Sequence, residues 1–165
     1  RGTGETSWDI KKQLGIVSYR LHVEYRMVGG TDLQSVIISG FHDSIGLYEQ
    51  ATDYEIATAK AWLKLAGFEG REEETFGSLS YGEQRAILII RAAVKNPRVL
   101  ILDEPCHGLD EDYRMKILDL LETVGETGTT TLLHVTHDPT EVLDCEKNVL
   151  ELFPGQTPMY GISKR

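Results

Sequence analysis

Two adjacent carboxylates, Asp103 and Glu104, close the apolar run Val99-Leu100-Ile101-Leu102 and are followed by Pro105. A strand that ends this way delivers its acids to the C-terminal edge of a parallel sheet, where ligands of such folds bind. Neighbouring strand residues point to opposite sides, so the two acids have different tasks. One can hold Mg2+, mainly through water, and the other can take a proton from an attacking water. A second group is Leu79-Ser80-Tyr81-Gly82-Glu83-Gln84-Arg85, which opens the strongest helical pattern of the chain. Ser80 and Glu83 have capping-box spacing. The same helix start offers unpaired N–H groups, and Gly82 allows a phosphate to approach the backbone, making a local anion site. The third candidate is His137, ahead of Asp138-Pro139; it could orient a water or contact a terminal phosphate. Each also has a plain structural explanation: a solvated turn, a helix cap, a packed imidazole. His134 is better read as a core or sheet residue.

The elements that must carry these groups follow from the hydrophobic pattern. Leu14-Gly15-Ile16-Val17-Ser18, residues 99–102, residues 131–136 and residues 148–153 are short apolar runs. With helices between them they predict a parallel sheet buried on both faces. Thr52-Asp53-Tyr54-Glu55 has capping-box spacing and opens a helix that Gly67 ends. Residues 35–45 are a weaker helical candidate, residues 80–95 the strongest, and residues 112–124 an amphipathic helix between the second and third runs. Asp138-Pro139 supplies a cap and first-turn proline for a short helix. Arg71-Glu72-Glu73-Glu74 reads as a solvated loop, Trp62 as core, and residues 154–165 as a terminal strap or disordered end.

Composition limits the partners. The 165 residues hold 17 Lys+Arg against 26 Asp+Glu, a net charge of -9, with 41% hydrophobic residues. That suits one soluble globular domain and weighs against a nucleic-acid coat or an anionic membrane surface as the main partner. Any phosphate site must then be local. Two cysteines, Cys106 and Cys145, form no paired framework and fit a reducing compartment. No run approaches the ~18 apolar residues that span a bilayer.

The order of the groups is more specific than any one of them. A helix-opening LSYGEQR, then VLILDEP, then Gly108-Leu109-Asp110, then Thr136-His137-Asp138 resembles the nucleotide-binding domain of ATP-binding-cassette (ABC) ATPases. These would be its signature motif, Walker B strand, D-loop and switch histidine. Trp8-Asp9-Ile10-Lys11-Lys12 with LGIVS, and residues 39–46, extend the resemblance to the second domain of the molybdenum-transport type of these ATPases, over about residues 1–153.

The resemblance implies an α/β fold, a P-loop NTPase-like parallel sheet with an inserted helical subdomain. Residues 1–30 would hold the first strand and Q-loop region, 31–78 the helical subdomain, 79–153 the signature helix through the switch region, and 154–165 a tail. It implies ATP and Mg2+ as ligands, Asp103 organising Mg2+, Glu104 as general base and His137 on the γ-phosphate of its own domain's ATP. Ser80, Gly82 and Gln84 would face ATP bound by a second ABC domain packed head to tail, with Asp110 communicating across that interface. The expected location is the cytoplasm or the inner face of the cell membrane, beside a membrane permease. No direct contact with nucleic acid is expected.

Three departures qualify this. Tyr19 stands where the family carries a glutamine that couples to the transporter, and Tyr81 where a glycine is commonest. None of the 16 glycines precedes a lysine, so the G-x-x-x-x-G-K-[ST] phosphate loop is absent. With Arg1 first, the chain is read as a domain cut downstream of that loop, inactive alone. Competing readings are an ATP-driven switch in DNA repair or another non-transport process, and a metal enzyme built on Cys106, His107 and Asp110. The latter lacks paired-ligand spacing, and no activating arrangement marks Cys106 as a nucleophile.

Overall fold

The structure, a computed structural model, describes residues 7–45 and 50–165. The start of the expected 1–30 region, residues 1–6, and the Gly46 end of the 39–46 stretch lie outside the described residues. Strands β1 (Leu14–Val17), β2 (Val99–Asp103) and β3 (Thr131–Val135) form a parallel sheet in the order β1-β2-β3. Leu14 pairs with Val99, which pairs with Thr131, so the three C-terminal ends lie at one edge. The helix that crosses from β2 to β3 is Glu111–Glu126, α6 below.

Four helices precede the strongest one: α1 (Ser7–Lys12), α2 (Tyr19–Met27), α3 (Leu33–Ile38) and α4 (Asp53–Leu65). The expected capping box opens α4: the Thr52 side chain accepts from Glu55 N–H, and the Glu55 carboxylate accepts from Thr52 N–H. Helix α5 (Tyr81–Ala93) starts on the second box, Ser80 with Glu83. From Gln84 to Ala93 every residue of α5 is buried, as expected for a helix packed on all sides. Trp62 packs half-buried against the core, as the sequence suggests.

Several expectations change. The helix expected over residues 35–45 stops at Ile38. A Cβ on Gly40 would collide with the Arg91 carbonyl oxygen, so only glycine fits where the chain passes against α5. Helix α2 was not apparent as a helix, because only His22 and Tyr25 of its nine residues are buried. The sheet is buried on one face rather than two. Val17, Leu100 and Leu102 are fully buried, whereas Ile16, Leu133 and Val135 on the other face are about half exposed. The fourth apolar run does form a strand, β4 (Asn148–Leu152), but outside the parallel sheet. It pairs antiparallel with β5 (Tyr160–Lys164), so the tail is a hairpin arm and not a strap.

Close approach of α5 to the sheet yields a paired test. A Cβ on Gly15 would meet the Ala92 carbonyl at 2.6 Å and a Leu100 methyl at 2.9 Å, whereas Gly30 has open space around it. Gly15→Ala is expected to destabilise by about 1–3 kcal/mol through overpacking. Gly30→Ala is expected to be neutral or to stabilise by up to about 1 kcal/mol by restricting the unfolded chain. Urea denaturation of both variants checks the contrast.

Candidate functional site

Asp103 is the last residue of β2 and is exposed. Glu104 follows with φ +50°, in the left-handed region that costs a non-glycine residue energy. Its backbone is fully engaged: its N–H donates to the Val135 carbonyl at 2.9 Å and its carbonyl accepts from His107 N–H at 3.0 Å. Parallel pairing brings the residues beyond β3 to the same edge. There His137 Nδ1 lies 2.7 Å from Glu104 Oε1. A carboxylate only accepts, so Nδ1 carries the proton. The hydrogen bond and charge of Glu104 raise the His137 pKa above the ordinary 6.5. The pair's contribution is therefore complete just below 6.5 and fades as pH rises through the raised value.

The loop that carries His137 is built by residues the motifs did not reveal. Arg114 of α6 reaches Glu141 Oε1 at 3.1 Å and also bonds Thr140 Oγ1. Glu141, itself buried, accepts from Thr136 Oγ1 at 2.7 Å, and Thr136 Oγ1 accepts from Asp138 N–H at 3.0 Å. The only sequence signal was the Asp138-Pro139 cap, and Pro139–Glu141 forms a single 3-10 turn.

At the other group, Ser80 is exposed and caps α5, accepting from Glu83 N–H at 3.2 Å. Glu83 also accepts from Arg71 Nη1 at 2.8 Å, and Arg71 binds Glu74 and lies 5.0 Å from the Phe68 ring centroid. The Arg71–Glu74 run is thus a brace on the cap rather than a merely solvated loop. Its backbone carbonyls at Glu72 and Glu74 accept from Gln34 and Leu33 N–H, closing the start of α3. Gly82 is buried, and a Cβ there would fall 2.4 Å from the Tyr113 ring. Tyr113 N–H in turn donates to Asp110 Oδ1 at 2.8 Å, so Tyr113 ties Gly82 to Asp110. Gln84 is turned inward, contrary to its expected exposure to a phosphate. It accepts from His22 at 2.9 Å and donates to the Phe76 and Leu79 carbonyls.

Neither cysteine is placed for chemistry. Both are free thiols; burial pushes Cys106 up to about 12 and Cys145 up to about 11. Among the described residues no cluster of three or more His, Cys, Asp or Glu side chains is placed to hold a metal alone. His134 is buried in the sheet, with Nδ1 3.0 Å from Glu146. Tyr19, the first residue of α2, is 63% exposed.

The chain thus combines a parallel sheet with an acidic strand end, a histidine facing it and a capped, glycine-containing helix start. The family model described as ABC transporter matches residues 3–107, and the chain belongs to that family. It is 43% identical over 155 residues to the ABC transporter ATP-binding protein ModF of Escherichia coli (strain K12), covering 93% of this chain and 31% of ModF. It is 31% identical over 156 residues to the uncharacterized ABC transporter ATP-binding protein YlmA of Bacillus subtilis (strain 168), covering 94% of this chain and 58% of YlmA. A metal-chelate type ABC transporter solved in an inward-facing conformation shares the fold, with TM-score 0.71 at 20% identity over 92% of this chain and 58% of that chain. The chain thus spans between about a third and three fifths of the proteins it matches. No helix of the described residues is long and apolar enough to cross a membrane.

The pair at the sheet edge is directly measurable. The His137 imidazole is expected to titrate above 6.5 by NMR, and Glu104→Gln is expected to bring the midpoint down toward 6.5. A midpoint unmoved by that change would show that the two side chains are not paired.

Proposed function

We propose that this chain is the part of an ABC ATPase that carries the hydrolytic carboxylate, the switch histidine and the signature helix. The observation behind the reading is the Glu104–His137 hydrogen bond at the C-terminal edge of the parallel sheet. With Oε1 occupied by His137, Oε2 of Glu104 is left to accept the proton of a water attacking the γ-phosphate. A protonated His137 donates from Nδ1 to Glu104 and keeps Nε2–H for a phosphate oxygen. Asp103 fits Mg2+, which commonly takes one or two protein carboxylates and completes its shell with phosphate and water oxygens. The ion would neutralise charge on the β- and γ-phosphates.

Ser80 and the start of α5 would meet the γ-phosphate of ATP held by a second, head-to-tail ABC domain, with Asp110 beside that interface. Gln84 would serve from inside, holding the start of α5. The phosphate loop would come from outside these residues, because no Gly-Lys pair is present. For the whole protein the motif resemblance carries the proposal of work at the cytoplasmic side of the membrane, of a molybdenum-transport type and beside a permease. Tyr19 in place of the coupling glutamine favours a second reading, an ATP-driven switch that acts without a permease. On either reading the charge of -9 weighs against direct nucleic-acid contact by this part.

Isothermal titration of this chain with Mg-ATP is expected to show binding weaker than micromolar and no measurable turnover; micromolar binding would overturn the incomplete-site reading. In the intact protein Glu104→Gln is expected to lower kcat by about 10²–10⁴-fold, the range for losing a general base. Unchanged turnover would remove Glu104 from that role.

A further inference from the structure

Arg85 is 1% exposed, among the largest fully buried side chains, and none of its hydrogen-bond partners is a carboxylate. Its guanidinium is shared among neutral acceptors on three elements. Nη1 donates to the Pro105 carbonyl at 2.7 Å and to the Glu104 carbonyl at 3.3 Å. Nη2 donates to Tyr81 Oη at 2.9 Å, and Nε donates to His22 Nδ1 at 3.2 Å. A guanidinium cannot accept, so His22 Nδ1 is bare and its Nε2–H donates to Gln84 Oε1 at 2.9 Å. His22 is therefore the neutral Nε2–H tautomer. It stacks on Tyr81 with centroids 4.4 Å apart, which fixes the ring plane as well as the tautomer.

Burying a cation without an ionic partner costs several kcal/mol unless its donors are well satisfied. Here four hydrogen bonds hold the guanidinium, two of them to the carbonyls of the strained turn. That turn holds the side chain paired with His137, with φ +50° at Glu104. We propose that Arg85, braced by His22, is a positioning residue for Glu104: it clamps the Glu104–Pro105 turn in its left-handed conformation and so aims the carboxylate at His137 and the reacting water. The inference rests on the reading of Glu104 given above. It adds that helix α2, which begins at Tyr19, is linked to the Glu104 turn through His22 and Arg85.

The test uses this chain and reads the His137 titration by NMR, with Glu104→Gln as the reference for a lost pair. Arg85→Met is expected to lower the His137 midpoint by at least half of the Glu104→Gln shift. Arg85→Lys, which keeps the charge but cannot span all the acceptors, should fall between. Loss of a positive charge alone would raise the midpoint, so the downward direction separates positioning from plain electrostatics. A folded Arg85→Met chain whose midpoint stays or rises overturns the proposal. If that variant does not fold, two measurements decide. In the unaltered chain, resolved and slowly exchanging Arg85 Nη–H signals with a His22 Nε2–H tautomer are expected. Tyr81→Phe, which removes one bond of the clamp, should shift the midpoint down by a smaller amount. Averaged, fast-exchanging Nη–H signals or an unmoved midpoint in Tyr81→Phe overturn it. If Glu104→Gln itself leaves the midpoint unchanged, what falls is the Glu104–His137 pairing, and the positioning claim falls with it.

Discussion

The burial of one uncompensated cation organises this molecule. A guanidinium removed from water needs oriented acceptors, and Arg85 has four, on the Glu104–Pro105 turn, on Tyr81 and on His22. Those acceptors belong to α2, to the start of α5 and to the segment after β2. None can shift without stranding a buried charge. The neutral state of His22 belongs to the same constraint. Burial lowers its pKa below 6.5, with Arg85 and Arg26 adding to the effect. Stability from the neutral imidazole is present above 6.5 and is lost as pH falls through the lowered value.

Helix α5 repeats the device one face further along. Arg91, also buried, donates to Ser39 Oγ at 3.1 Å and to the Ser44 carbonyl at 2.7 Å, and lies 5.0 Å from the Tyr25 ring centroid. Tyr25 Oη bonds the same Ser39 hydroxyl at 2.8 Å. One helix thus staples two irregular segments through two arginines, which explains why a helix buried along its length still contains charge. The loops that follow α3 and β2 are thus both tied to α5 by a buried guanidinium.

What could be read beforehand was what depends on residues close in sequence. Both capping boxes, Thr52–Glu55 and Ser80–Glu83, are contacts over three positions and were legible at once. The strand ending in Asp103-Glu104 and the order of the motifs placed the candidate site. The bracing groups were not legible, because Arg85 with His22 and Arg71 with Glu83 join positions distant in sequence. Arg71-Glu72-Glu73-Glu74 has the composition of a solvated loop, and composition cannot show that Arg71 closes a helix cap. Residues 160–164 hold a glycine and alternate weakly, so their strand is defined only by β4 beside it. Helix α2 presents just two side chains to the core, too few to mark a period.

Gly82 under the Tyr113 ring carries a consequence for how related sequences are compared. A glycine at the start of a signature helix is commonly taken as a mark of phosphate contact. In this fold any side chain at position 82 would enter the aromatic ring from α6. The two positions are one steric unit, so they should change together: an aromatic at 113 demands glycine at 82, and a smaller residue at 113 releases it. Covariation between these positions would trace the docking of two helices, and glycine at 82 would persist wherever 113 stays aromatic.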